Sequence, residues 1–141
     1  LCDMMIANGL QVGWGGQAMI RPEMTGEFIR TMARAGCHNL NYGLEHGSQK
    51  MINLMKKGFL VKHAEQCIRD ASEAGIEVSV NIIIGFPEES FQSIRTTMEW
   101  LIKLGIHCKP HFATPYPGSE WYYAYKHLQA FSFYEHPPQS P

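Results

Sequence analysis

Four times along this chain a helical run stops at a glycine and a strand follows. Residues 1–8 lead to Gly9 and LQVGWGGQ, and residues 25–35 lead to Gly36 and CHNLNYGLE. Residues 61–74 lead to Gly75 and IEVSVNIIIG, and residues 89–104 lead to Gly105 and IHCKPHFAT. A glycine just past a helix enters the left-handed conformation without a Cβ clash. One such glycine says little; four in the same position specify an alternation of helix and strand. The helical runs carry apolar stripes at the right spacing: Phe28, Ile29, Met32 and Ala33; Ala64, Cys67, Ile68 and Ala71; Ile94, Thr97, Met98, Leu101 and Ile102. Thr25 and Ser90 read as N-caps. Shorter helices are expected over 48–56 and after Ser119. Strands that alternate with helices pair in parallel through right-handed crossovers. The fold class is therefore α/β, with four parallel βα units. A closed eight-unit barrel takes about 250 residues. The 141 residues here are expected to form a small open sheet or part of a barrel belonging to a longer protein.

Composition narrows the function classes. Apolar residues make up 45% and charged residues 18%, the balance of an ordinary globular domain. A net charge of −1 argues for neither nucleic acid nor an anionic membrane as partner. No apolar run approaches the roughly 18 residues of a membrane span. The opening LCDMMIANGL lacks the basic start and cleavage site of a signal peptide, so a cytoplasmic location is expected. Cys2, Cys37, Cys67 and Cys108 form no close pair and read as reduced, mostly buried thiols rather than a metal knuckle or redox pair. His107 and His111, four residues apart on one strand, stand about 13 Å apart and cannot share a metal. No metal ligands are assigned.

The strands are two-faced. Leu40, Tyr42 and Leu44 oppose Asn39, Asn41, Gly43 and Glu45; Ile76, Val78, Val80, Ile82 and Ile84 oppose Glu77, Ser79, Asn81, Ile83 and Gly85. Val12 and Trp14 oppose Gln11, Gly13, Gly15 and Gln17; Cys108, Pro110 and Phe112 oppose His107, Lys109 and His111. Parallel strands are normally apolar on both faces. Burying a whole face of unpaired amides and imidazoles is costly. The polar face is therefore expected to meet water, a ligand or a partner's polar groups, as the wall of a wet or cofactor-filled barrel or the open side of a sheet.

Sites in parallel α/β folds form at the carboxyl ends of strands. Three tips hold glycine or proline with acceptors just before a helix: GLEHGS (43–48), GFPEES (85–90) and TPYPGSE (114–120). Glu45 is the candidate acceptor for sugar hydroxyls, ranked above a salt bridge to a lysine such as Lys109. Ser48 is favoured as an N-cap and can also touch a ligand. Glu89 reads equally as a charge favourable near a helix start and as a ligand contact. His46 reads as a loop residue.

At these tips the chain resembles the radical S-adenosylmethionine superfamily, and more closely the group that often carries an upstream cobalamin-binding domain. The matching stretches are WGGQAMIRPEM (14–24), MARAGCHNLNYGLEHGSQKMINLMKKG (32–58), EAGIEVSVNIIIGFPEES (73–90) and TPYPGSEWY (114–122). The resemblance implies an open, six-stranded partial barrel, (β/α)6, of which residues 1–123 would hold strands three to six. It implies S-adenosylmethionine as cofactor, a 4Fe-4S cluster in the parent protein, and room for cobalamin. By similarity, Glu45 and Ser48 would contact the ribose or methionine part. Ile83, Ile84 and Gly85 would lie against the adenine, and Thr114 and Pro115 would edge the same pocket. Gln17, Asn41, Asn81 and His111 would line the substrate cavity. The CxxxCxxC motif that holds the cluster does not occur here, and Glu88, Glu89 and Ser90 stand where the family commonly has Gly-Glu-Thr. Residues 124–141 match nothing in the family and are expected to form a poorly ordered tail.

Two functional readings follow. The first is the cofactor-cradling part of a radical enzyme, working with the remainder of its polypeptide on an unidentified substrate. The second is a non-catalytic α/β module that binds a nucleotide or a partner, since an incomplete sheet leaves an edge that invites another strand or an edge-to-edge oligomer. A hydrolase ranks lowest for want of a nucleophile–base pair.

Overall fold

The structure is a computed structural model that describes residues 1–125. The chain divides into a larger unit, Leu1–His111, and a second, Phe112–Pro141. Element order is α1 (Cys2–Ala7), β1 (Trp14–Ala18), α2 (Gly26–Arg34), β2 (Cys37–Glu45), α3 (Gln49–Leu54), α4 (Val61–Glu73), β3 (Glu77–Ile84), α5 (Phe91–Leu104), β4 (His107–Phe112) and α6 (Glu120–Tyr125). The four strands form one parallel sheet in the order β1-β2-β3-β4, an arc rather than a closed barrel.

The local signals behave as their chemistry requires. Gly9, Gly36, Gly75 and Gly105 all take positive φ, between +62° and +91°. Phe28 N–H donates to Thr25 Oγ1, which caps α2. Ser90 and Ser93 exchange bonds in a capping box: Ser93 N–H donates to Ser90 Oγ and Ser90 N–H to Ser93 Oγ, each at 3.1 Å. Such a reciprocal pair satisfies two donors that a helix start otherwise leaves open.

One face of the sheet carries the core. Leu40, Tyr42 and Leu44 of β2 and Val78, Val80 and Ile82 of β3 are buried with Ile29 and Met32 of α2, Ala64, Cys67, Ile68 and Ala71 of α4, and Leu101 of α5. Each buried aliphatic side chain contributes roughly 1.5–3 kcal/mol, so this face holds the helices on. The helical stripes are narrower than the apolar residues alone suggest: Phe28 and Ile102 are exposed. The first strand is also shorter than the pattern implies. It begins at Trp14, leaving Val12 outside and exposed, and its register slips by one residue between Trp14 and Gly15.

In the second unit, Ser119 N–H donates to Tyr116 O across the turn Tyr116-Pro117-Gly118-Ser119. Ser119 Oγ then accepts from Tyr122 N–H at 3.1 Å and starts α6. Ala124 and Tyr125 are helical; the rest of the expected tail lies outside the described residues.

Candidate functional site

In a parallel sheet, residues paired across strands share a face. The register sets Gln17, Asn41 and Ser79 in one row across β1, β2 and β3, with Gly43 and Asn81 paired one step nearer the tips. The polar face is thus continuous over three strands. Part of it satisfies itself: Asn41 Nδ2 donates to Ser79 Oγ at 2.8 Å, both residues being buried. Asn41 Oδ1 is buried without a hydrogen-bond partner. Gln17 is exposed and Asn81 half-buried; on β4, His111 is exposed. A separate cleft of about 600 Å³, lined by Trp14, Thr25, Phe28 and Met32 among others, lies beside α2 and shares no residue with the strand tips.

At the end of β2 the alternation breaks. Glu45 pairs with Ile82 across a register shift and adopts φ +69°, a left-handed conformation that costs a side-chain-bearing residue about 1–2 kcal/mol. Strain of this kind concentrates where a side chain must be aimed. The carboxylate folds back toward the polar face: a Cβ on Gly43 would lie 3.2 Å from Glu45 Oε1. Lys57 Nζ holds that same oxygen at 2.6 Å. The lysine on Glu45 is therefore Lys57, reached through the turn after α3, and not one on β4.

Ser48 occupies the N-cap position of α3 with extended dihedrals, yet its side chain makes no capping bond. The favoured capping role is not observed, and the hydroxyl is left available at the tip. Gln49 instead links α3 to α4, accepting from Val61 N–H at 2.8 Å and donating to Phe59 O at 3.1 Å. At the end of β3, Ile83 and Ile84 are half-buried, and Gly85 is exposed with open space where a Cβ would stand. Thr114 and Pro115 belong to the second unit, where Thr114 Oγ1 donates to Phe112 O at 3.2 Å.

Between the two tips stands a residue that the sequence reading set aside. His46 is buried, not a free loop side chain. Its Nδ1 accepts from Ser48 N–H at 2.9 Å, which places the ring proton on Nε2. That nitrogen lies 3.2 Å from Glu89 Oε1, both atoms being buried and turned out of ideal hydrogen-bond alignment. The other oxygen, Glu89 Oε2, accepts from Gly85 N–H at 2.6 Å. Thr97 Oγ1 on α5 accepts from Gly47 N–H at 3.1 Å and contacts His46 Nδ1 at 3.2 Å. A Cβ on Gly47 would meet Thr97 Cα at 3.1 Å, so the loop must be side-chain-free to lie against α5. Burial pushes the His46 imidazole below its ordinary pKa, a shift that Glu89 only partly offsets. The sequence signal for the contact is slight: a histidine two residues before the N-cap of α3 and a glutamate four residues past Gly85.

Among the described residues, no group of three or more His, Cys, Asp or Glu side chains is placed to hold a metal. Cys2, Cys37, Cys67 and Cys108 are all free thiols, and burial pushes Cys67 up to about 11 and Cys37 upward. Such thiols are poor metal ligands and nucleophiles near neutral pH.

A family model described as the Radical SAM superfamily matches residues 18–101. An uncharacterised methyltransferase of Pyrococcus horikoshii is 28% identical over 118 residues, 82% of this chain and 26% of that protein. A tRNA-2-methylthio-N(6)-dimethylallyladenosine synthase of Ralstonia pickettii is 29% identical over 84 residues, 57% of this chain and 18% of the relative. Among solved structures, a radical S-adenosylmethionine methyltransferase from Kitasatospora setae, with cobalamin and a 4Fe-4S cluster bound, aligns with a TM-score of 0.67. Its identity is 20%, over 79% of this chain and 24% of that one. Coproporphyrinogen III oxidase of Escherichia coli, a radical SAM enzyme, aligns with a TM-score of 0.68 at 15% identity, over 75% of this chain and 25% of that one. These structural likenesses carry the fold. The chain spans about a quarter or less of the length of each of these proteins. No helix among the described residues is long and apolar enough to cross a membrane.

Proposed function

The chain belongs to the radical SAM superfamily, and from that membership we propose that it supplies the S-adenosylmethionine-contacting strand tips, and part of the substrate cavity, of a larger radical enzyme. The observation that carries this reading is the convergence of Glu45, Ser48 and the stretch Ile83–Gly85 at the paired ends of β2 and β3. The residue types fit the cofactor. The Glu45 carboxylate, aimed by its left-handed backbone and by Lys57, accepts from ribose hydroxyls. The Ser48 hydroxyl, without a capping bond, is a second polar contact. Ile83 offers apolar surface to a flat base, while Ile84, whose side chain packs toward the core, and Gly85 present backbone for it to approach. Gln17, Asn41 and Asn81 form the neutral polar wall toward the substrate, with His111 on β4.

In such an enzyme the cofactor supplies a radical that abstracts hydrogen once an electron reaches it. The residues of this chain bind and orient it. They do not fit the 4Fe-4S cluster: the four cysteines are dispersed and free, and no ligand group forms among the described residues. The cluster ligands are assigned to the remainder of the polypeptide. The wider assembly has room for cobalamin, which the Kitasatospora structure contains. The dispersed cysteines also favour a second reading, in which this chain binds the nucleotide without catalysing a reaction.

Calorimetric titration of the 141-residue chain with S-adenosylmethionine tests the proposal. Saturable binding is expected, weakened about ten-fold or more in Glu45→Gln, which loses a charge-assisted acceptor. A chain that takes up no ligand, or a variant that binds like the wild type, sinks it.

A further inference from the structure

We propose that His46 and Glu89 are positioning residues that lock the tips of β2 and β3 into one unit, so that the two sets of cofactor contacts are held in a single mutual geometry. The inference rests on the reading that these tips hold S-adenosylmethionine. Neither residue belongs to the proposed contact set, and each sits directly behind one half of it. Ser48 N–H donates to His46 Nδ1 at 2.9 Å, and Gly85 N–H donates to Glu89 Oε2 at 2.6 Å. The remaining atoms of the two side chains, Nε2 and Oε1, face each other at 3.2 Å. The line runs from one tip's backbone through two side chains to the other's, meeting at a close Nε2···Oε1 contact rather than an aligned hydrogen bond. The side chains are only 2% and 5% exposed.

An apolar pair of similar size would avoid the desolvation cost of a buried imidazole and carboxylate. Buried polar pairs of this kind serve register better than bulk stability. Thr97 closes the same assembly from α5, accepting from Gly47 N–H while it touches His46 Nδ1, so the loop between the tips is pinned on a rigid helix. Glu89 is the charged group that faces the imidazole; the third element against it presents the neutral hydroxyl of Thr97.

Two near-isosteric variants separate this lock from local structure. In His46→Asn, the amide oxygen accepts from Ser48 N–H in the same two-residue turn but is too short to reach Glu89. In Glu89→Gln, one acceptor becomes a donor, so either Gly85 N–H or His46 Nε2–H faces a donor in place of a carboxylate oxygen. Amide hydrogen exchange and calorimetry with S-adenosylmethionine are read on the 141-residue chain, with thermal midpoints as a folding control. The expected result is crossed. His46→Asn speeds exchange at Gly85, on the opposite tip, about ten-fold, while Ser48 stays protected; Glu89→Gln speeds exchange at Ser48 by a similar factor. Both variants weaken S-adenosylmethionine binding about ten-fold. Exchange that changes only on the mutated tip overturns the lock. Crossed exchange with unchanged affinity overturns the positioning role and leaves the cofactor site standing. Crossed exchange in the variants, with no S-adenosylmethionine binding by the wild type, overturns the cofactor reading and supports the lock.

Discussion

His46 accepts a backbone N–H while almost wholly buried, and this makes its protonation a folding question. Burial holds the imidazole below its ordinary value in the folded chain, while the unfolded chain titrates near about 6.5. Between those two values the unfolded state binds more protons than the folded one, so stability falls as pH drops. The contribution is fully present above about pH 6.5 and is lost as the solution is acidified through the folded value. One proton limits the slope to about 1.4 kcal/mol per pH unit. His46→Asn has nothing to titrate there. Urea unfolding from pH 7.5 to 5 should show the wild type losing stability relative to that variant below about pH 6.5, and parallel curves would refute the assignment. The residue escaped the sequence reading for a plain reason. Its partners Glu89 and Thr97 lie 43 and 51 positions away, and no periodicity encodes a contact of that range. Glu45 was legible as a site carboxylate, whereas its left-handed backbone and its lysine were not.

At the scale of elements, what the sequence disclosed was whatever is local. The glycine stops, the caps at Thr25 and Ser90, and the alternating faces of β2 and β3 are all set within a few residues, and each appears as the pattern requires. The pattern misled where a neighbour decides the outcome. Val12 has the right alternation but lies before β1 begins, and Ser48 has the right residue type but makes no capping bond. The two serines therefore part company on mutation. Ser90→Ala breaks the capping box of α5 and should cost about 1 kcal/mol. Ser48→Ala removes no cap bond and should shift stability by less than about 0.5 kcal/mol, while weakening S-adenosylmethionine binding if the hydroxyl is a contact. Chemical denaturation of both variants checks the contrast; equal losses would mean that Ser48 caps α3 in solution after all.

At the largest scale the sheet is open, and its outer members, β1 and β4, each have a single neighbour strand among the described residues. An edge strand presents unpaired N–H and C=O groups on one side and recruits another strand unless it is covered or charged. β1 is poorly defended: Gly15, Gly16 and Gln17 carry no charge and are exposed. β4 carries His107, Lys109 and His111 along with Pro110, which removes one ladder donor, so its edge is the better guarded. In a protein about three times this length, as the Pyrococcus relative is, further strands would cover β1. The 141-residue chain by itself should therefore self-associate through β1, its mean mass in sedimentation rising with concentration. Gly16→Lys tests the route directly. Nothing lies within 4 Å of where the new Cβ would stand, so the fold tolerates the side chain, and an edge lysine discourages strand pairing. The variant should stay monomeric at concentrations where the wild type associates. A wild type that is monomeric throughout would mean that the edge is already protected, and equal association by both would move the contact away from β1.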